Sequence, residues 1–420
     1  MARSDGSLGA LRPDRLARRL VDLLGPTGGA ARQSVSALAL NSTTSFAAGA
    51  MLVGFQDTWH NLSPLLIMVP AAIGLRGNVF STLGNRLSTA IHTGTFRVSF
   101  KRDSVLGQNL LVSFSLTLVM SVVLAAIAKV LGLALGTSQD ISMLELTMVS
   151  GIGGLLGSIV VAAATVLLTI GAVRYEWDLD YLVAPTVSTL GDGITIPALW
   201  LAAQLVGGHN VDSFLGLLII VSAVVIGIWT WRSALDLTRQ VFRESLPVLF
   251  FALILSAFAG VVLQRQENLL AIVPAIGVLQ PAFVSSAGAL GGILCGRIAT
   301  NLHIGLVSPT LMPGTQARLD ASSIFGLAVP LLVFNVFGAW LATNLSGHAA
   351  APGFWWLLLT SCLASVATLA FVATLAYYST VGAWRFNVDP DTYGTPLVTA
   401  SVDFVGTMAL VVSAVALGLL

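Results

Sequence analysis

The sequence predicts an all-α, polytopic membrane protein of about eleven transmembrane helices, and three observations carry that prediction. Of its 420 residues, 56% are hydrophobic and 9% charged, where a soluble domain carries roughly 25% charged residues. Apolar runs long enough to cross a hydrocarbon core of about 30 Å recur from Ser36 to the C-terminus. The 41 glycines supply the small surfaces that let helices approach closely in lipid. A formal net charge of +1 without a dense basic run excludes nucleic acid as a partner. Cys295 and Cys362 lie in separate apolar segments, which argues against a disulfide framework and reads both as small core residues.

Taken in order, the elements begin with "LRPDRLARRLVDLLG", which sets Arg12, Arg15, Arg18 and Arg19 against Leu16, Leu20, Leu23 and Leu24 at helical spacing. Residues 1–33 therefore read as a cytoplasmic amphipathic segment lying among headgroups, with a disordered basic tail as the alternative. The segment lacks the compact apolar core and cleavage site of a signal peptide. Spans follow near 36–54, 62–93, 105–135, 145–173, 184–207, 214–231, 246–263, 269–304, 323–345, 354–381 and 396–419, the second and eighth interrupted by Pro and Gly. Arg32, Arg97, Lys101, Arg102, Arg174, Arg232, Arg239, Arg243, Arg318 and Arg385 all fall on one side of this arrangement, whereas the alternate loops hold only Arg265. The positive-inside rule then puts the N-terminus in the cytoplasm and the C-terminus outside a plasma membrane. Trp59, Trp355 and Trp356 fall where an interfacial aromatic belt is expected, and Lys129 is positioned to snorkel.

The chain repeats itself. "RYEWDLDYLVAPTVSTLGD", ending at Asp192, lies over "RFNVDPDTYGTPLVTASVD", ending at Asp403, a displacement of 403 − 192 = 211 residues. The same displacement pairs Pro70 with Pro281, Arg86 with Arg297, His92 with His303 and Ser45 with Ser256. This predicts two five-helix repeats, 34–208 and 245–420, joined through residues 209–244. Two five-helix units joined directly would insert in opposite senses. The extra apolar segment Phe214 to Trp231 crosses once more and returns the chain to its starting side. The halves should therefore lie parallel, as a covalent pseudo-dimer about an axis along the membrane normal, so that a monomer already completes a two-fold pore.

Among the 19 acidic residues, only Asp192 and Asp403 sit well inside apolar spans, and the repeat makes them partners. A carboxylate at mid-span costs roughly 2.5–3.5 kcal/mol, so its presence asks for a function. Ser188 and Thr399 precede the aspartates by one helical turn, while Thr195 and Thr407 extend the polar stripe the other way. Such a ladder of oxygen atoms suits a hard, partly hydrated divalent cation, which would also offset repulsion between the carboxylates. The alternative is that each aspartate bonds a neighbouring helix or pairs with Arg76 or Arg86. Asp178, Asp180, Asp389 and Asp391, just before these spans, read equally as an inner-mouth cation site or as helix N-caps. His92 and His303 read as interfacial, and Arg86 and Arg297 as snorkelling or as caps for carbonyls freed at the helix breaks.

Two stretches carry a family resemblance: Asp389, Pro390 and Asp391 followed by Pro396, Thr399 and Asp403, with a weaker copy ending at Asp192, and "VPAAIGLRGNVFSTLGNRLST" from Val69 to Thr89. They resemble the membrane domain of MgtE-type magnesium channels, and still more the duplicated solute carrier 41 magnesium transporters. The resemblance implies that Asp192 and Asp403 line a central pore and help bind hydrated magnesium, and that Gly77 and Asn78 sit near the ion path. The second repeat places Ala289 opposite Asn78, so the pore is expected to be asymmetric at that level. The large cytoplasmic gating region of MgtE-type channels is not expected here, which leaves a separate cytoplasmic regulatory subunit as a possible partner beside the bilayer and divalent cations. No HExxH, GxSxG, Walker loop or CxxC occurs, so neither an enzyme nor a resident cofactor is expected, only Mg2+ as the transported ion. The readings that remain open are a magnesium pathway, a sodium- or proton-coupled divalent cation exchanger or exporter, and a symporter for a cationic organic solute.

Overall fold

The computed structural model describes residues 28–55, 58, 62, 64–92, 94–136, 141–175, 179–207, 210–265, 273–303, 305–345, 353–386, 388 and 390–418. Among the described residues, eleven long helices make up the architecture: α1 (Gly28–Gly54), α2 (Pro64–His92), α3 (Val105–Ala134), α4 (Met143–Tyr175), α5 (Leu179–Ala203), α6 (Asn210–Trp231), α7 (Asp236–Arg265), α8 (Pro274–His303), α9 (Thr315–Leu345), α10 (Phe354–Arg385) and α11 (Pro390–Ala416). Nine of them are long and apolar enough to cross a membrane, among the described residues. The other two, α1 with 27 residues and α5 with 25, reach about 40 Å and 37 Å at 1.5 Å per residue, enough to span as well. The chain is a multi-pass membrane protein.

Local chemistry fixes several ends. Ser142 and Glu145 form a reciprocal capping box at the start of α4, with the Ser142 amide donating to Glu145 Oε2 at 2.6 Å and the Glu145 amide to Ser142 Oγ at 3.1 Å. Ser104 caps α3 by accepting the Gly107 amide at 3.0 Å. Leu179 and Pro390, which differ between the repeats, both open their helices, and proline is at ease in that first position. Helix α7 begins at Asp236, some ten residues before the apolar span read from sequence, because an amphipathic stretch continues it. Arg243 holds that extension to α6, its guanidinium 5.0 Å from the Trp231 ring centroid and donating to the Trp231 carbonyl at 3.0 Å. Residues 1–27, and with them most of the amphipathic N-terminal segment, lie outside the described residues, as does Trp59.

The repeat is visible in three dimensions, with an exchange of helices. A Cβ added at Gly49 of α1 would lie 2.7 Å from the Val278 carbonyl oxygen of α8, and one at Gly260 of α7 would lie 2.4 Å from that of Ile67 in α2. Both pairs obey the displacement of 211, since 260 − 49 and 278 − 67 are equal. The first helix of each half therefore packs on the second helix of the other. Core residues agree: Phe242, Leu249 and Leu253 of α7 join the core of the first half, and Leu38 of α1 joins that of the second.

Contacts also fix the sense of the halves. Along α2, Gly74 faces Asp403 and Asn78 meets Thr399; along α8, Val284 faces Gly406, Gly288 faces Thr399 and Gly292 faces Thr395. Each series descends α11 as it ascends its own helix, so α2 and α8 both run antiparallel to α11 and parallel to each other. Helix α6 lies outside this arrangement, against α3 and α4: Gly216 abuts the Leu144 backbone, and Thr230 donates to Ser115 Oγ at 3.1 Å. Its outward face, including Leu217, Val221, Val224 and Ile228, is exposed as for lipid. Cys295 is buried, but Cys362 is exposed on α10, so only the first is a core residue; neither is in a disulfide.

Candidate functional site

A large cavity lies where α2, α5, α8 and α11 meet, with an empty volume of about 1260 Å3, open solvent included. Asp192 and Asp403 both line it, near enough for their charges to interact. Each is held by a serine from the first helix of its own half: Ser45 donates to Asp192 Oδ2, and Ser256 donates to Asp403 Oδ2 at 2.6 Å. The two serines are themselves repeat partners. Neither was singled out from sequence as a site residue, although their recurrence at the common displacement was the available signal.

Beyond that shared bond the two sites differ. Asp192 is 3% exposed and has a second hydroxyl partner, Ser285. Asn41 in turn donates to Ser285 Oγ at 2.9 Å, and Thr189 lies 3.3 Å from Asn41 Oδ1. The repeat counterparts of Ser285, Asn41 and Thr189 are Gly74, Ala252 and Ala400. Asp403 thus lacks the polar surround and is half-exposed toward the cavity. Gly74 keeps the space before it open, since a Cβ there would sit 3.1 Å from Asp403 Oδ2.

The cavity walls share this asymmetry. Helix α2 presents Asn78, Ser81, Thr82 and Asn85, where the equivalent positions of α8 are Ala289, Gly292, Ile293 and Gly296. Thr399 of α11 donates to Asn78 Oδ1 at 3.0 Å, a bond between the halves. The polar track toward Asp403 therefore runs between α2 and α11. Ser81, Thr82, Asn85 and Thr395 are partly exposed, whereas Leu52, Val69, Ile196 and Leu263 are buried at the other end. The cavity is accordingly more open toward the helix ends that carry the basic connections and closes on the far side. Leu52 and Leu263, the closing pair from α1 and α7, are again repeat partners.

Of the residues expected along the pore, Gly77, Asn78 and Thr399 line the cavity. Thr195 and Thr407 do not: both are fully buried, and Thr407 donates to the Asp403 carbonyl at 2.6 Å while accepting from Gln280 at 2.9 Å. The polar stripe continues past the aspartates, but beyond them it faces packed helices. Ser188 lies in α5 with its side chain outside those described. Asp178 and Asp389 lie outside the described residues, and Asp180 and Asp391 fall in the first turns of α5 and α11 with their side chains undescribed. His92 and His303 end α2 and α8, again without described side chains.

The arginines hold helices rather than the aspartates. Arg76, 2% exposed, donates to the Gly153 carbonyl of α4 at 2.8 Å. Arg86 donates to Ser245 at 3.2 Å, and Arg297 to Ser323 at 2.8 Å with Asp320 at 3.6 Å, so both reach neighbouring helices. Lys129 donates to the Ile141 carbonyl at 2.5 Å, which ties down the connection into α4 rather than leaving the ammonium free to snorkel.

Comparison with known proteins places the chain in a family. Solute carrier family 41 member 3 from Mus musculus is 25% identical over 387 residues, covering 86% of this chain and 78% of its own. Solute carrier family 41 member 2 from Xenopus laevis is 25% identical over 384 residues, covering 86% and 67%. These relatives are named as solute carriers, not enzymes. The crystal structure of a eukaryotic MATE transporter aligns over 94% of this chain and 96% of its own at 11% identity, with a TM-score of 0.32, too low to relate the folds. The MgtE family model, described as a divalent cation transporter, matches twice, over residues 69–202 and 280–413. The second match is displaced by 280 − 69 = 211 residues and each contains one of the aspartates, so the chain belongs to the MgtE family of divalent cation transporters.

Proposed function

We propose that this protein moves magnesium across the plasma membrane through the cavity between its halves, with Asp192 and Asp403 binding the hydrated ion. The observation that carries the reading is that two carboxylates 211 residues apart line one cavity, each bonded to an equivalent serine. Magnesium gives up water reluctantly and is usually held through one or two carboxylates with several waters retained. The hydroxyl and amide groups of α2 and α11 suit such an ion as outer partners on its way to Asp403. Asp178, Asp180, Asp389 and Asp391 would concentrate cations at the inner mouth. No resident cofactor is needed, one chain supplies both aspartates, and any control by a cytoplasmic subunit would act from the side of the basic loops, with the N-terminus cytoplasmic and the C-terminus outside.

The test is flux in proteoliposomes loaded with a magnesium-sensing dye. A saturable signal on adding external magnesium, not seen in protein-free liposomes, is expected. Indifference to magnesium under every imposed gradient would overturn the reading. If flux requires a sodium or proton gradient, the protein is an exchanger using this same cavity.

A further inference from the structure

Behind α8, on the face turned away from the aspartates, lies a second and smaller hollow between α8, α9 and α10. It has room for one water-sized guest. Asn335 and Thr368, 2% and 0% exposed, line it with Asn335 Oδ1 and Thr368 Oγ1 lacking hydrogen-bond partners. A buried polar atom left so costs about 1–3 kcal/mol. Ser286 and Ser365 contribute two more oxygens.

The repeat gives these oxygens a meaning. The equivalent space in the first half is filled by the Arg76 guanidinium, whose Nε lies 2.6 Å from where a Cβ of Gly157 would stand. The counterpart of Arg76 is Ala287, so the second half has lost the charge. Around that vacancy Leu75, Leu124, Gly154 and Gly157 correspond to Ser286, Asn335, Ser365 and Thr368. These four changes each add an oxygen, whereas Thr117, Ser121 and Ser158 give way to Ala328, Leu332 and Leu369, so the polar groups are rearranged around the place where a tethered cation has gone. Ala364 is the repeat counterpart of Gly153, whose carbonyl Arg76 bonds in the first half.

We infer that the hollow between α8, α9 and α10 binds a small monovalent cation, sodium by size and donor type, in the place that the Arg76 guanidinium fills in the first half. Neutral oxygens without a carboxylate suit a single charge, since a buried divalent ion needs anionic partners. The guest is joined to the main cavity through adjacent hydroxyls of α8. Ser286 lies 3.1 Å from Ser42, while neighbouring Ser285 is bonded by Asn41 and reaches Asp192.

The test is thermal unfolding of the purified full chain in nanodiscs, so it stands or falls separately from transport. Sodium chloride is titrated at constant ionic strength against N-methyl-D-glucamine chloride, with potassium chloride for comparison. The inference predicts a saturable rise of about 2–4 °C at a sodium concentration near ten times Kd, and a smaller one with potassium. The double variant Asn335→Leu/Thr368→Gly, which installs the first-half residues, should abolish the sodium response. Adding Ala287→Arg to it should raise the unfolding temperature without sodium. Superimposable curves in sodium and N-methyl-D-glucamine, as for a hollow holding water only, would overturn the inference, and so would an unchanged sodium response in the double variant. Should that variant not fold, Ser286→Ala reads the same point: a roughly tenfold weaker sodium response supports the site, and an unaltered one rejects it.

Discussion

Asp192 and Asp403 occupy one repeat position, yet one is enclosed by Ser45, Ser285 and the Asn41 amide while the other faces the cavity with Ser256 alone. The half-exposed carboxylate is the better placed to meet an arriving ion. Asp403→Asn should therefore lower the initial rate of magnesium uptake by roughly tenfold or more, equivalent to at least about 1.4 kcal/mol of lost ion binding, without loss of folded protein. Gly74→Ser would give Asp403 the hydroxyl that Ser285 gives Asp192. It should be tolerated, whereas Gly74→Val should block uptake, because a Cβ there already approaches Asp403 Oδ2 to 3.1 Å. Uptake measured on equal amounts of folded protein checks both. The aspartates were legible in the sequence because charge inside an apolar span is costly and these two recur in register. Their serine partners were harder to read, since a serine in a membrane helix is cheap and its bond depends on which helix lies opposite. Thr195 and Thr407 lie outside this cavity, a placement the sequence could not give because helical periodicity sets a direction around the axis, not the depth at which a cavity ends.

Among the elements, the exchange of α1 and α7 between halves is what puts each carboxylate at a boundary. Asp192 is reached by α1 of its own half and by α8 of the other, and Asp403 by α7 and α2. The close crossings at Gly49 and Gly260 make this possible. Gly49→Val and Gly260→Val should each destabilise by about 1–3 kcal/mol, and by similar amounts, since both force side-chain atoms against backbone. Chemical or thermal unfolding in detergent measures this; a large difference between the two would contradict the equivalence of the crossings. Helix number, order and approximate ends followed from hydropathy, and the linking helix α6 from its place outside the repeat. The exchange did not follow, because apolar faces of lipid-buried helices look alike and nothing local says which neighbour each one meets.

Over the whole molecule, parallel halves turn two distant segments into the walls of one cavity, open toward the basic side and closed beyond the aspartates by Leu52 and Leu263. In the proposed pathway that layer would be the barrier. Leu52→Ser combined with Leu263→Ser should raise basal magnesium leak in proteoliposomes several-fold while leaving the aspartate site in place; unchanged leak would move the barrier elsewhere. The common sense of the halves was legible from one extra span, because an odd linker reverses the insertion of whatever follows it. The central claim, that ions pass by way of the paired carboxylates, is tested most directly by magnesium flux through the double variant Asp192→Asn/Asp403→Asn, reconstituted beside the parent protein and shown to be folded. The account predicts flux indistinguishable from protein-free liposomes. Flux at the parental rate would contradict it.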